Sequence, residues 1–297
     1  MNVIARVRQK LPSMILLESE RLFLHTTLAI GGPCRALCYP RTAMEIQELV
    51  HVFRESDAPF TVLGNGSNVL VTDKGTKAFV IKTQKLGTIT VNGKEITADC
   101  GVSLPFLSSV ATKRGLSGLE FACGIPGTVG GAVVCNAGAF GKETADVVKS
   151  VTLLRADGKI QTLTKEDCAF SYRKSGINGF VLSATFVLEQ KVESEIARTV
   201  KAYTERRTAT QPKGKSAGSV FLASGGVSAA RLIDEAGLKG LSLGGAKVSS
   251  KHANFIMNVG GATATDYKRL MTAVQNAVYG RTGVLLTPEI RMIGEDE

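Results

Sequence analysis

The 297-residue chain is 44% apolar and carries 36 Lys and Arg against 26 Asp and Glu, a net charge of +10. It is long enough for two or three hydrophobic cores, and no apolar run approaches the roughly 18 residues of a helical membrane span. The basic residues are dispersed and aromatics make up 6% with no tryptophan, which favours phosphorylated small ligands over nucleic acid as the anionic partner.

From the amino end, 1–23 reads as a short amphipathic helix, with an apolar run at 14–17 too short for a signal-peptide core and acids at Glu18 and Glu20. A cytoplasmic protein is expected on that ground. Thr42-Ala43-Met44-Glu45 reads as a capping box, and Ile46, Leu49, Val50 and Phe53 then form one helical face. Short strands are expected at 60–63, 69–71 and 78–83, with a hairpin over 88–99 turning at Asn92-Gly93. Ser103 caps a predicted helix that ends at Gly115. A second hairpin at 150–164 turns at Asp157-Gly158, and 180–188 is an apolar strand. Charged and apolar residues alternate at helical spacing over 193–207, and Gly237 stops a short helix at 228–236. Tyr267, Leu270, Met271, Val274, Ala277 and Val278 form another helical stripe before a closing strand at 284–293. Many hairpins in mixed order argue for α+β rather than a doubly wound parallel sheet.

Six cysteines (Cys34, Cys38, Cys100, Cys123, Cys135 and Cys168) include no CxxC pair, and the three histidines form no HExxH. Buried free thiols are expected, with no metal.

Two glycine-rich stretches ask for close approach to the backbone. GNGSN places Gly64, Asn65, Gly66, Ser67 and Asn68 between two strands, and both glycines permit positive φ. Free N–H groups there suit phosphate oxygens, although a plain hairpin turn uses the same residues. GIPGTVGGAVVCNAGAFG, 124–141, holds six glycines, too many for an ordinary core helix. It matches neither a P-loop nor GxGxxG. Either a phosphate-bearing cofactor or a tight crossing of chain segments accounts for it. Arg173, Ser219 and Glu289 stand in polar stretches whose spacing alone assigns no role. A surface arginine, a strand-start serine and a solvent-facing glutamate are the plain alternatives.

TTLAIGGP (26–33), LGNGSNVLV (63–71), GLEFACGIPGTVGGAVVCNAGAFG (118–141), FSYRKS (170–175), FVLSATF (180–186), RRTATQPKGKSAGSVF (206–221), LIDEAGLKG (232–240), KHANFIMN (251–258) and LLTPEIRMIG (285–294) together resemble the UDP-N-acetylenolpyruvoylglucosamine reductase family, in its order and at its spacing. The resemblance implies an α+β flavoprotein, with a two-part FAD-binding domain of the vanillyl-alcohol-oxidase type and a C-terminal α+β substrate domain. It divides the chain into 1–84 and 85–210 around non-covalent FAD, 211–283 for substrate, and a return strand at 284–297 joining the second part. It implies that FAD is held by Gly64, Asn65, Gly66, Ser67 and Asn68, and by Gly124, Ile125, Pro126, Gly127, Thr128, Gly130, Gly131 and Ala132. Glycines are expected at 124–131 because the cofactor takes the place of side chains.

The implied reaction reduces UDP-N-acetylglucosamine enolpyruvate to UDP-N-acetylmuramate, with NADPH as hydride donor, hydride passing from reduced FAD to C3 and a proton to C2. Position by position, Ser219 resembles the proton donor, Arg173 the arginine that steadies the carboxylate, and Glu289 the glutamate that completes the site. Lys215, Lys251, His252 and Asn254 are candidates for the UDP end. A monomeric enzyme with a UDP-sugar substrate is expected, without nucleic-acid or membrane partners. Two departures stand out. LASGG at 222–226 replaces a usual lysine-proline, and the short spacing from FVLSATF to Arg206 places the chain with the subclass lacking an inserted tyrosine loop. The rivals are another FAD oxidase or dehydrogenase of the same wider fold, a flavin-binding protein without turnover, and a nucleic-acid binder.

Overall fold

The computed structural model describes residues 2–223 and 226–294. Ser224 and Gly225, within the LASGG departure, lie outside the described residues. The chain divides into two compact units: 1–17, 36–65 and 79–207 form the first, and 18–35, 66–78 and 208–297 the second.

In the first unit, a sheet of spatial order Ile15–Glu18, Cys34–Tyr39, Thr76–Lys82, Phe60–Leu63 carries the Ala43–Glu55 helix. The Thr42 hydroxyl accepts from the Glu45 N–H, but Glu45 reaches back to the N–H of Arg41 rather than that of Thr42, so the capping box is half made. Ile46, Leu49, Val50 and Phe53 are buried as their spacing predicts, and the Phe53 ring stacks on Phe79 at 4.5 Å. Phe60–Leu63 runs parallel to the last strand residues, with Leu63 opposite Lys82.

A five-stranded antiparallel sheet follows, in the order Ile160–Thr164, Val148–Leu154, Phe180–Val187, Glu95–Asp99, Ile89–Asn92. Both predicted hairpins are its outer pairs. The helix Val129–Cys135 packs on its central strand. That helix corrects the reading of 124–141, because Gly130 and Gly131 are helical. Glycine is tolerated in it for closeness: a Cβ at Gly130 would lie 2.9 Å from the Cys100 Cβ.

The second unit holds an antiparallel sheet of order Lys215–Ser219, Phe255–Asn258, Ala246–Val248, Ser242–Leu243. The helix Ala264–Thr282 buries Tyr267, Leu270, Met271, Val274 and Val278, while Ala277 of the predicted stripe is exposed. A capping box between Thr263 and Asp266 starts this helix, and Gly283 at φ +71° ends it. Asp73 adds a second cap, accepting from the N–H groups of Ala264 (2.7 Å) and Thr265 (3.0 Å).

The closing segment departs from the expectation twice. Only Arg291–Ile293 is strand, and Pro288 makes just an isolated antiparallel bridge to Phe221. The strand's partner is Val69–Val71, paired in parallel, and not a strand of 85–210. All six cysteines are free thiols, four of them buried. Among the described residues no helix is long and apolar enough to cross a membrane.

Candidate active site

The two glycine-rich stretches meet within the first unit. A Cβ on Gly64 would lie 2.5 Å from the Thr128 hydroxyl, and the Asn65 side chain donates to the Pro126 carbonyl at 3.2 Å. Thr128 is buried, and its hydroxyl accepts weakly from the Gly131 N–H at 3.5 Å. Here the glycine reading needs correction. Gly64 is needed for close approach and not for positive φ, whereas Gly66 does take φ +66°. Gly124 lies against the Arg207 side chain, 2.5 Å from where its Cβ would be, and Gly130 against Cys100. At Gly130 the protein's own Cys100 already fills that space, whereas at Gly124 the neighbour is the flexible end of the Arg207 side chain. Gly131 differs, since its nearest neighbour is 3.6 Å away and it is exposed.

The loop is shaped to receive an anion. The Lys82 ammonium donates to the Gly64 carbonyl at 2.5 Å. The peptide that follows is trans, and the Asn65 N–H, like those of Gly66, Ser67 and Asn68, has no acceptor among the described residues. An unclaimed amide beside glycines is the donor that a phosphate oxygen needs, so the residues present fit an FAD diphosphate.

Arg173 sits on a turn in the same unit. Ser171 and Lys174 exchange backbone hydrogen bonds of 2.9 and 3.1 Å, which leaves Arg173 at φ +57°. A non-glycine residue there costs about 1 kcal/mol and persists only where neighbours enforce it. Asn136 does so: fully buried, it donates to the Ser171 carbonyl (3.0 Å) and accepts from the Ala145 N–H (2.9 Å). The Arg173 guanidinium donates to the Gly138 carbonyl at 3.0 Å and lies 5.0 Å from the Tyr172 ring. Asn136 was missed in the sequence, although it lies inside the glycine-rich stretch.

In the second unit Ser219 and Glu289 come together. Gly218, at φ +75°, occupies the register shift between Ser216 and Ser219, a bulge that re-aims the following side chain. Residues 219–222 then run beside 287–289, with the Glu289 N–H donating to the Val220 carbonyl (2.7 Å) and the Leu222 N–H to that of Thr287 (2.9 Å). Asn68 joins them, its side chain donating to the Glu289 carbonyl at 3.3 Å and its own carbonyl accepting from the Arg291 N–H at 3.0 Å. The Thr27 hydroxyl ties the Gly66 carbonyl (3.3 Å) to that of Ser216 (2.7 Å). The distal half of GNGSN is thus fastened to the segments that carry the serine and the glutamate.

The four candidates for a UDP end fare differently. The Asn254 side chain holds Phe221, accepting from its N–H (3.0 Å) and donating to its carbonyl (2.8 Å). It clamps the residues after Ser219. Lys251 donates to the Thr208 carbonyl at 2.6 Å, and Lys215 is exposed on its strand. The His252 Nδ1 is buried without a partner, and burial, with the Lys239 charge adding, lowers its pKa.

Residues 34–164 match the model for the FAD binding domain, and 210–293 match that for the UDP-N-acetylenolpyruvoylglucosamine reductase, C-terminal domain. The chain is 42% identical over 290 residues to the UDP-N-acetylenolpyruvoylglucosamine reductase of Pediococcus pentosaceus, covering 96% of this chain and 97% of that one. It is 41% identical to the enzyme of the same name from Carboxydothermus hydrogenoformans over 98% of this chain and 99% of the other. The reductase structure from Thermus caldophilus superposes with a TM-score of 0.82 at 38% identity, covering 94% of this chain and 98% of that chain. Phl p 4, a glucose oxidase, shares the fold alone, with a TM-score of 0.51 at 16% identity over 65% of this chain and 45% of that chain.

Proposed function

We infer that the chain, which belongs to the UDP-N-acetylenolpyruvoylglucosamine reductase family, reduces UDP-N-acetylglucosamine enolpyruvate to UDP-N-acetylmuramate with FAD and NADPH. The observation that carries this reading is the joining of the GNGSN loop to the segments bearing Ser219 and Glu289. Bound FAD supplies the hydride chemistry.

The rest falls to the chain's own residues. Gly64–Asn68 and 124–132 cradle the cofactor, with the unclaimed Asn65 amide toward its diphosphate. Ser219 delivers the proton to C2 of the enol ether. A serine hydroxyl is a weak acid, so its neighbours must stabilise the alkoxide left behind. Charge that builds on the substrate carboxylate needs fixed, preorganised donors. Arg173 meets that need, and its strained φ supports the role, since such strain gathers at functional sites. Glu289 completes the set. Residues 1–84 and 85–210 hold FAD and 211–283 the substrate. We take the molecule to work as a cytoplasmic monomer without a nucleic-acid partner, the last point being supported by its dispersed basic residues.

The test is anaerobic. Purified yellow protein is mixed with NADPH and then with the enol ether. Absorbance that bleaches and then returns with the enol ether is the expected result. Bleaching without return would redirect the search to other oxidants, and a colourless protein that takes up no FAD would overturn the reading of the glycine loops.

A further inference from the structure

Lys82 is one of the largest fully buried side chains in the molecule, 1% exposed, at the end of the Thr76–Lys82 strand. Burial alone draws its pKa down to about 8. A methionine would fill similar space without that cost, so a buried ammonium asks for a reason beyond packing. The next residue adds to the case: the Thr83 hydroxyl is also buried and has no hydrogen-bond partner. Its carbonyl lies so close to Gly101 that a Cβ there would stand 1.9 Å away.

The geometry at Gly64 supplies the reason. Leu63 and Lys82 are opposite each other in the parallel ladder, which brings the lysine directly beneath the first residue of GNGSN. Its Nζ holds the Gly64 carbonyl at 2.5 Å. In a trans peptide the carbonyl and the following N–H point in opposite directions. Pulling the Gly64 carbonyl toward the buried lysine therefore turns the Asn65 N–H away from it, and that amide is one of four in the loop, with those of Gly66, Ser67 and Asn68, that have no acceptor among the described residues.

We propose that Lys82 is a positioning residue for FAD: it fixes the Gly64–Asn65 peptide with its amide outward and sets a buried positive charge behind that amide, both addressed to a diphosphate oxygen. This rests on the reading that GNGSN carries the flavin diphosphate. The charge and the oriented dipole act in the same direction on an anion and do little for a neutral ligand.

The test compares FAD with riboflavin, which has the ring but no phosphate. Apoprotein labelled with 15N, prepared from the holoenzyme, is titrated with each. The Asn65 amide and Lys82 Nζ resonances are expected to shift with FAD and to stay in place with riboflavin. Lys82→Met is expected to weaken FAD binding about 10- to 100-fold, the range for one charge-assisted hydrogen bond, with riboflavin affinity changed less than about twofold. Equal losses for both ligands would overturn the proposal, because a merely structural lysine would weaken both. So would shifts at Gly66, Ser67 and Asn68 with none at Asn65 or Lys82 Nζ, while the loop reading stood. No shift anywhere in 64–68 at saturating FAD would instead overturn the loop reading. If Lys82→Met does not fold, the wild-type resonances decide alone.

Discussion

Gly64→Ala tests the crossing of the two glycine loops. The new Cβ would stand 2.5 Å from the Thr128 hydroxyl, with the Thr128 methyl at 3.4 Å and its Cβ at 3.5 Å. Only the hydroxyl must move. Thr128 is β-branched and buried, so it moves by leaving its rotamer, at about 1 kcal/mol, and by giving up its cap on the Val129–Cys135 helix, at about 1 kcal/mol more. Gly64 has no positive φ, so alanine returns about 0.5 kcal/mol through the unfolded chain. The net expectation is a loss of about 1.5 kcal/mol, from these terms. Thr128→Ala alone gives up the cap, about 1 kcal/mol. In that background Gly64→Ala meets no hydroxyl, so the double variant should lose only about 0.5 kcal/mol rather than the additive 2.5. Urea unfolding of the three apoproteins by circular dichroism measures this. Costs that add to within about 0.4 kcal/mol would refute the crossing as the reason for glycine at 64.

Ser219→Ala should leave bleaching by NADPH at the wild-type rate and slow reoxidation by the enol ether roughly 10²- to 10⁴-fold in stopped flow; equal slowing of both half-reactions would remove the serine from proton delivery. Asn254→Ala strands both backbone groups of the buried Phe221 and should destabilise by about 3 kcal/mol, read as a lower melting temperature. A neutral outcome there would show that the clamp is replaceable. His252 has a folded pKa below its ordinary 6.5. The unfolded chain therefore binds more protons below that value, so the contribution is intact above pH 6.5 and lost as pH falls through it. His252→Gln should flatten the stability profile between about pH 7 and 5, and an unchanged slope would show that another group governs it.

The helical stripes, both hairpins and the strands beside GNGSN were legible because each is written in local periodicity and turn chemistry, as at Ile46–Phe53 or Asn92-Gly93. What escaped depends on residues far apart in the chain. Gly124 and Gly130 read as a cofactor cradle, but their neighbours are Arg207 and Cys100, which no local pattern announces. Of the closing strand only 291–293 formed, and its partner was not legible, because pairing across 222 positions leaves no periodic trace. Ser219 and Glu289 are assigned through family resemblance alone, while Asn136, Asn254 and Lys82 occupy buried sites where an isolated Asn or Lys carries no sequence signal.

The joining of 287–293 to Asn68–Thr72 also orders events in the life of the chain. The Asn68 carbonyl waits for the Arg291 N–H, and the Ile293 carbonyl for that of Thr72. Until those late residues have left the ribosome, the distal half of the glycine loop has its backbone groups facing water, not a sheet partner. Long-range pairing of this kind is also slow to form. A ribosome-bound chain halted before residue 287 lacks the pairing of the two distant segments, and comparing its flavin uptake with that of the released chain tests whether cofactor loading waits for it.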